Sequence, residues 1–212
     1  MQRGQTLQHY SGQPISRQIL LDLLKDYKRP QDKISEMVRQ QELIPVKRGL
    51  FIPGPATGLE QPEPFLLANH LYGPSYVSLE TALSHWGLIP EKVFETASMT
   101  THRSVKYDTN AGRFSYTHLP LPYYAFGQQI LPFSEKQTAL IASPEKALCD
   151  KIIATAGLLF RSERTLRSWL TEDMRMDRER LRSLQPAAIR SWAKEAPKQQ
   201  SILLLAKTLE DI

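Results

Sequence analysis

Seven residues near the N-terminal end carry side chains suited to holding an anion: Lys28, Arg29, Lys33, Ser35, Arg39, Lys47 and Arg48. Six are cationic at neutral pH and the seventh is a hydroxyl, and no histidine stands beside Ser35 to make it a nucleophile. The chemistry they fit is recognition rather than bond making. Ammonium and guanidinium groups suit phosphate oxygens, while a guanidinium fork or a short polar side chain suits a base edge. Lys33, Ser35 and Arg39 are the candidates for base edges. Lys28 and Arg29 in a turn, and Lys47 and Arg48 in a hairpin, are the candidates for phosphate. The plain alternative is a solvated helix face and a charged turn, and Asp32 and Glu36 among them repel phosphate.

A second group, Ser143-Pro144-Glu145-Lys146 with Asp150, could be read as acid–base machinery. The same residue types make a helix start, with serine at the cap, proline at the first position and glutamate in the first turn, and that structural reading is preferred. His85 and Trp86 sit at a predicted helix end, and His9, His70, His102 and His118 are scattered without metal-ligand spacing. Cys149 is alone, which excludes an intrachain disulfide and a cysteine-based zinc site. There is no phosphate-binding Gly-rich loop, no Gly-x-Ser-x-Gly elbow and no His-Glu-x-x-His. A nucleotidyltransferase needs a Gly-Ser turn followed by paired aspartates, and neither is present. The one acidic-x-Lys triplet, Asp26-Tyr27-Lys28, ends a predicted helix rather than lying on a strand. No catalytic residue, cofactor or metal is therefore expected.

The elements around the basic residues sharpen the reading. Ile34, Met37 and Val38 recur at helical spacing and predict an amphipathic helix over 31–43. Residues 44–53 then form two short β-type runs hinged near Gly49 and limited by Pro45 and Pro53. A helix running into a basic hairpin is how a winged helix-turn-helix presents one element to the major groove and another to the backbone. Double-stranded DNA is thus the expected partner. Ser16 caps a preceding helix through residue 27, with Ile19, Leu20, Leu23 and Leu24 as its buried stripe, closed by Lys28-Arg29-Pro30. Residues 1–14 lack periodicity and read as a loose arm or one weak helical turn. The stretch from Pro53 to Pro64 is rich in proline and glycine and marks a linker, which divides the chain into domains 1–55 and 60–212.

Beyond the linker a short helix is expected over 63–73. A helix over 76–90 has Ser78 at its cap, Gly87 at the left-handed C-terminal position and Pro90 blocking continuation. The pattern turns to strands over 93–141, including a hairpin around Asn110-Ala111-Gly112, and further strands at 124–132 and 137–142. A helix starts at Ser143, and residues 160–212 form a helical extension broken at Pro186 and Pro197. The fold class is α+β. Residues 1–55 carry nine basic against five acidic groups (+4), 56–160 seven against nine (−2), and 161–212 eleven against eight (+3). Basic ends around an acidic middle suit a DNA-binding domain joined to a second module. The arginines of the tail are interleaved with acids, so a solvated, salt-bridged surface is their default. No apolar run reaches the length of a membrane span and the N-terminal residues MQRGQTLQHYSGQ are polar without a signal-peptide core, so a soluble cytoplasmic protein without membrane contact is expected.

Several dispersed stretches resemble the AbiEi-type antitoxins of type IV (abortive-infection) toxin–antitoxin systems. They are residues 76–91 (YVSLETALSHWGLIPE), 98–101 (SMTT), 112–116 (GRFSY) and 141–148 (IASPEKAL) with Asp150, preceded by 46–51 (VKRGLF) as the wing. The likeness spans about residues 16–160. It implies an N-terminal winged helix-turn-helix, an α/β antitoxin-type domain, and repression of the protein's own operon through operator DNA, most naturally at an inverted repeat. It also implies neutralisation of a nucleotidyltransferase-like toxin without stable contact. The alternatives are a stand-alone regulator without a toxin, or a nucleic-acid-acting enzyme with an unrecognised site. One departure from the family pattern is that only one strong helix precedes the recognition helix.

Overall fold

Ser16 and Pro30 set the first two helices. The structure, a computed structural model, describes residues 7–212, so the part of the expected arm before Leu7 lies outside it. Leu7 is buried ahead of a single 3₁₀ turn at Gln8–Tyr10, and a two-residue strand β1 (Ile15–Ser16) follows. The Ser16 hydroxyl accepts a hydrogen bond from the Ile19 amide at 3.3 Å, capping α1 (Arg17–Leu23). Proline at the first position of α2 (Pro30–Arg39) presets the helical φ and lacks only an N–H that has no partner there. Both helices are shorter than the sequence predicts. Leu24 leaves helical geometry to enter the core, and Gln41 takes φ +57°, which turns the chain out of α2 and into strand β2 (Leu43–Lys47).

Strand β3 (Leu50–Pro53) returns from a turn at Arg48 and Gly49, where Gly49 has φ +85°. β3 lies between β1 and β2, antiparallel to both. Alternation along these strands gives the small sheet two apolar faces. Ile15, Leu43 and Phe51 turn toward Leu20, Leu24, Ile34 and Met37, forming the core beneath α1 and α2. Ile44, Val46, Leu50 and Ile52 turn the other way and join the large core built by the rest of the chain. A register irregularity between Pro45 and Lys47 accompanies this arrangement.

The linker is fastened at both ends. Gly54 donates to the Glu42 carbonyl at 2.8 Å, and a β-carbon at this position would stand 2.0 Å from the Gln41 carbonyl oxygen. Only glycine fits so close an approach. Farther along, the buried Gln137 side chain accepts from the Glu63 amide at 2.7 Å and donates to the Glu60 carboxylate at 2.9 Å. Gly12 in turn donates to the Glu60 carbonyl at 2.9 Å.

After α3 (Pro64–Leu71), a six-stranded mixed sheet organises the remainder. In chain order its parts are β4 (Ser75–Val77), α4 (Leu79–His85), β5 (Glu95–Thr100), β6 (Val105–Thr109), β7 (Gly112–His118), β8 (Gln128–Pro132) and β9 (Thr138–Ala142). The spatial order is β6-β7-β5-β4-β9-β8, with β5/β7 and β4/β9 parallel and the other pairs antiparallel. The helix expected to begin at Tyr76 is corrected: Tyr76 and Val77 are strand residues, fully buried between β5 and β9, and α4 starts three residues later. Helix α5 (Pro144–Ala154) begins as expected, with the Ser143 hydroxyl accepting from the Lys146 amide at 3.2 Å. Then come α6 (Glu163–Ser168), a π-helical turn at Trp169–Asp173, α7 (Arg178–Arg182), α8 (Pro186–Ala193) and α9 (Gln199–Glu210). Ile189, Trp192, Ile202 and Leu205 tie this extension into the large core. Among the described residues no helix is long and apolar enough to cross a membrane.

Candidate nucleic-acid interface

Helix α2 owes its position to two residues on its inner face, Ile34 and Met37, which are buried in the small core. Its outer face then presents Gln31, Asp32, Ser35, Arg39 and Gln40 to solvent. Hollows flank it on both sides. One, of about 420 Å³, separates Gln31, Ser35 and Val38 from Arg17, Pro45 and Phe51. The other, of about 600 Å³, lies between α2 and the turn that carries Tyr27, Lys28 and Arg29. The helix therefore stands as a ridge, accessible from its crest and both flanks.

The seven sequence-selected residues divide on this ridge. Ser35 and Arg39 are exposed on the crest, with the Ser35 hydroxyl donating back to the Gln31 carbonyl at 3.1 Å. Lys28 and Arg29 are exposed in the turn, and Arg29 stands 3.7 Å from Asp32 in a solvated pair of little energetic weight. Arg48 is exposed at the hairpin tip.

Lys33 and Lys47 have other partners. Lys33 is only 11% exposed in its side chain, pairs with Glu36 at 2.9 Å and lies 5.8 Å from the Tyr27 ring centroid. It closes the groove beside α2 rather than facing outward. Lys47 donates its ammonium to the Leu71 carbonyl at the end of α3, and burial lowers its pKa. That bond docks the hairpin on α3. Lys33, expected at a base edge, and Lys47, expected at a phosphate, are thus the two of the seven whose ammonium groups are held within the protein.

Arg17 is a residue that sequence reasoning missed. Its amide donates to the Gly49 carbonyl at 2.8 Å, and its side chain is exposed on the α2 hollow, beside the hairpin tip. Its place after the Ser16 cap is readable in the sequence, but the neighbour that matters lies over thirty residues away. Ser16 pairs with Leu50 across the sheet, and that register brings the two together.

The second candidate group converges within the large core. Lys146 and Asp150, one turn apart on α5, form an ion pair at 2.9 Å with both side chains fully buried. The Asp150 Oδ2 accepts from the Tyr76 hydroxyl at 2.9 Å and from the Ser78 hydroxyl at 2.8 Å. Ser78 thus spends its hydroxyl on Asp150 instead of capping α4. The Lys146 ammonium donates to the Tyr123 carbonyl at 3.2 Å and sits 3.4 Å from the centroid of the Tyr123 ring. Burial pushes the Asp150 carboxyl up and the Lys146 ammonium down from their usual ranges. Glu145 faces elsewhere, accepting from the Ser143 hydroxyl at 2.9 Å and the Gln185 amide at 3.1 Å. With Lys146 and Asp150 sealed from solvent, this cluster joins α5 to β4 and offers no surface to a substrate.

Cys149 shares that interior. Burial raises its thiol pKa to about 12, so the thiolate that alkylating reagents require is scarce at any ordinary pH. The native protein should therefore resist iodoacetamide at pH 8 and react only when unfolded. Mass spectrometry showing rapid native labelling would mean that α5 opens readily. Among the described residues no group of three or more His, Cys, Asp or Glu stands where it could hold a metal ion.

No protein-family model and no curated protein matches the chain. Among solved structures it is similar to the crystal structure of the RV2827C protein from Mycobacterium tuberculosis. The two share 15% identity at a TM-score of 0.54, over 98% of this chain and 79% of that one. At that identity the likeness concerns the fold alone.

Proposed function

We propose that residues 7–53 are a winged helix-turn-helix and that the protein is a DNA-binding transcriptional regulator reading its site through α2. The observation that carries this reading is the α2 ridge, with polar and cationic side chains on its crest and Arg17 and Arg48 at one flank. A projecting helix of this kind suits the major groove of B-DNA, about 12 Å wide. Arg39, Ser35 and Gln31 are assigned to base edges; Lys28, Arg29, Arg17 and Arg48 are assigned to phosphates. In this reading the 3₁₀ turn at Gln8–Tyr10, with Leu7 buried ahead of it, stands in for the first helix of the motif.

Fluorescence anisotropy with the DNA upstream of the protein's own gene, titrated with salt, tests the proposal. Binding should exceed that to scrambled DNA and weaken steeply with salt. Equal, weak binding to both sequences at about 50 mM salt would overturn it. The hairpin gives a finer prediction. Arg48→Ala should reduce the magnitude of the salt slope by about one, the share of one phosphate contact. Lys47→Ala should leave the slope unchanged, because that ammonium is held by Leu71. A Lys47→Ala slope reduced as much as that of Arg48→Ala would return Lys47 to the interface.

The resemblance to AbiEi-type antitoxins extends this proposal to repression of the protein's own operon and neutralisation of a nucleotidyltransferase-like toxin. Co-expression of the full chain with such a toxin from an adjacent gene tests that extension. Restored growth supports it, and failure leaves a stand-alone regulator.

A further inference from the structure

β8 closes one side of the six-stranded sheet, and among the described residues no strand pairs with its outer edge. The bonds made by its neighbour β9 show which groups of β8 face outward. The Asn69 amide side chain bonds both the N–H and the C=O of Leu140, at 2.7 and 3.3 Å, and Trp86 Nε1 donates to the Ala142 carbonyl at 2.8 Å. Leu140 and Ala142 therefore turn their backbone polar groups away from β8. Their register partners are Ile130 and Gln128.

Opposite residues in an antiparallel ladder either exchange both backbone bonds or exchange none. Ile130 and Gln128 accordingly direct their N–H and C=O groups outward, and so does Pro132 with its carbonyl alone. At the intervening phase Ser143 donates to the Gly127 carbonyl at 2.7 Å, as the alternation requires.

The side chains make this edge unusual. Residues 126–134 carry no charge, Ile130 is 73% exposed, and its cross-strand neighbour Leu140 is 39% exposed. The opposite edge of the sheet, β6, carries Lys106 and Asp108, the type of residue that keeps an edge strand solvated.

We propose that β8 pairs antiparallel with β8 of a second copy of this chain, about a two-fold axis through Ile130. In that register Ile130 exchanges both backbone bonds with its counterpart, and the Gln128 N–H reaches the counterpart's Pro132 carbonyl. Pro132 has no N–H to continue the ladder, so the pairing ends there. A two-fold axis sets a self-paired strand against its own reverse, so a charge on the axis faces its own copy and like charges placed symmetrically about the axis face each other. β8 is neutral, so no such opposition arises. The axis also brings the exposed Ile130 and Leu140 side chains of the two copies beside one another. Such a dimer would offer two α2 helices to an inverted repeat. That consequence rests on the DNA-binding proposal, whereas the pairing does not.

The test needs no DNA, so its outcome is independent of the functional reading. Ile130→Cys places one thiol directly across from its copy, with Cα atoms about 5.5 Å apart, inside the range a disulfide spans. Cys149 is fully buried and stays out of the reaction. Phe94→Cys, at a position 75% exposed ahead of β5, reports random collision. Under mild oxidation the Ile130→Cys protein should form a covalent dimer at least about tenfold faster than Phe94→Cys. Wild type should sediment as a concentration-dependent monomer–dimer mixture, and Ile130→Lys, which opposes two ammonium groups, should shift it to monomer with an unchanged melting temperature. Equal cross-linking rates, or a wild-type monomer at all concentrations up to about a millimolar, would overturn the proposal. Should Ile130→Lys melt early, the cross-linking ratio decides alone.

Discussion

Asp150→Ala should destabilise the protein by about 3–5 kcal/mol, the cost of removing one partner from a buried ion pair. The variant leaves the Lys146 ammonium in a fully enclosed site with the Tyr123 carbonyl and ring as its remaining partners. It also strips the Tyr76 and Ser78 hydroxyls of their acceptor. For a chain of this length the melting temperature should fall by roughly 6–20 °C. A midpoint within a degree or two of wild type would show that the pair does not hold α5 to β4.

Asp150→Asn gives the same prediction a pH axis. The amide keeps an acceptor for the hydroxyls but removes the charge that favours the ammonium, leaving burial to depress Lys146. The unfolded chain then binds a proton at this lysine that the folded chain does not, over the interval between the lowered folded pKa and the unfolded value of about 10.5. Stability of Asp150→Asn relative to wild type should therefore rise with pH through the window between the variant's further lowered Lys146 pKa and that of wild type. Denaturant unfolding at several pH values measures it, and a constant difference across that range counts against the assignment.

Under the proposed DNA-binding function, the largest effect on recognition is expected at Arg39. Its guanidinium is exposed on the crest of α2 and has no ion-pair partner among the described residues, so it is ready for a bidentate contact to a guanine edge. Arg39→Ala should cost roughly ten- to a hundredfold in affinity for the operator and relax preference at one base-pair position. Lys33→Ala, six residues earlier on the same helix, should leave sequence preference intact, because Lys33 is spent on Glu36 and Tyr27. Competition binding with single-base operator variants separates the two. A uniform loss at Arg39, equal for every base variant, would reassign it to phosphate.

Much of the architecture was legible in local chemistry. Ser16 and Ser143 mark helix starts, Pro30 marks the break between α1 and α2, Gly49 marks the hairpin turn, and the alternation in residues 105–118 marks β6 and β7. Each of these depends on contacts within a few residues, which the sequence displays directly. Tyr76 and Val77 were not legible as a strand. They continue without a break into a helical pattern, and only pairing with β5 and β9 makes them extended.

The candidate interface divides in the same way. From the sequence alone came the basic helix and hairpin, their order, and all but Arg17 of the cations from which an anion-binding face is drawn. Which of those cations remain available was decided by tertiary structure. Glu36 and Tyr27 take Lys33, the Leu71 carbonyl takes Lys47, and the register of β1 on β3 delivers Arg17 to the hairpin tip. The buried pair follows the same rule: its i, i+4 spacing is written in the chain, but its burial comes from β4 and the Tyr123 segment closing over α5. A side chain's charge and reach are properties of the residue, whereas its free partners and its exposure belong to the packed neighbours that folding brings to it.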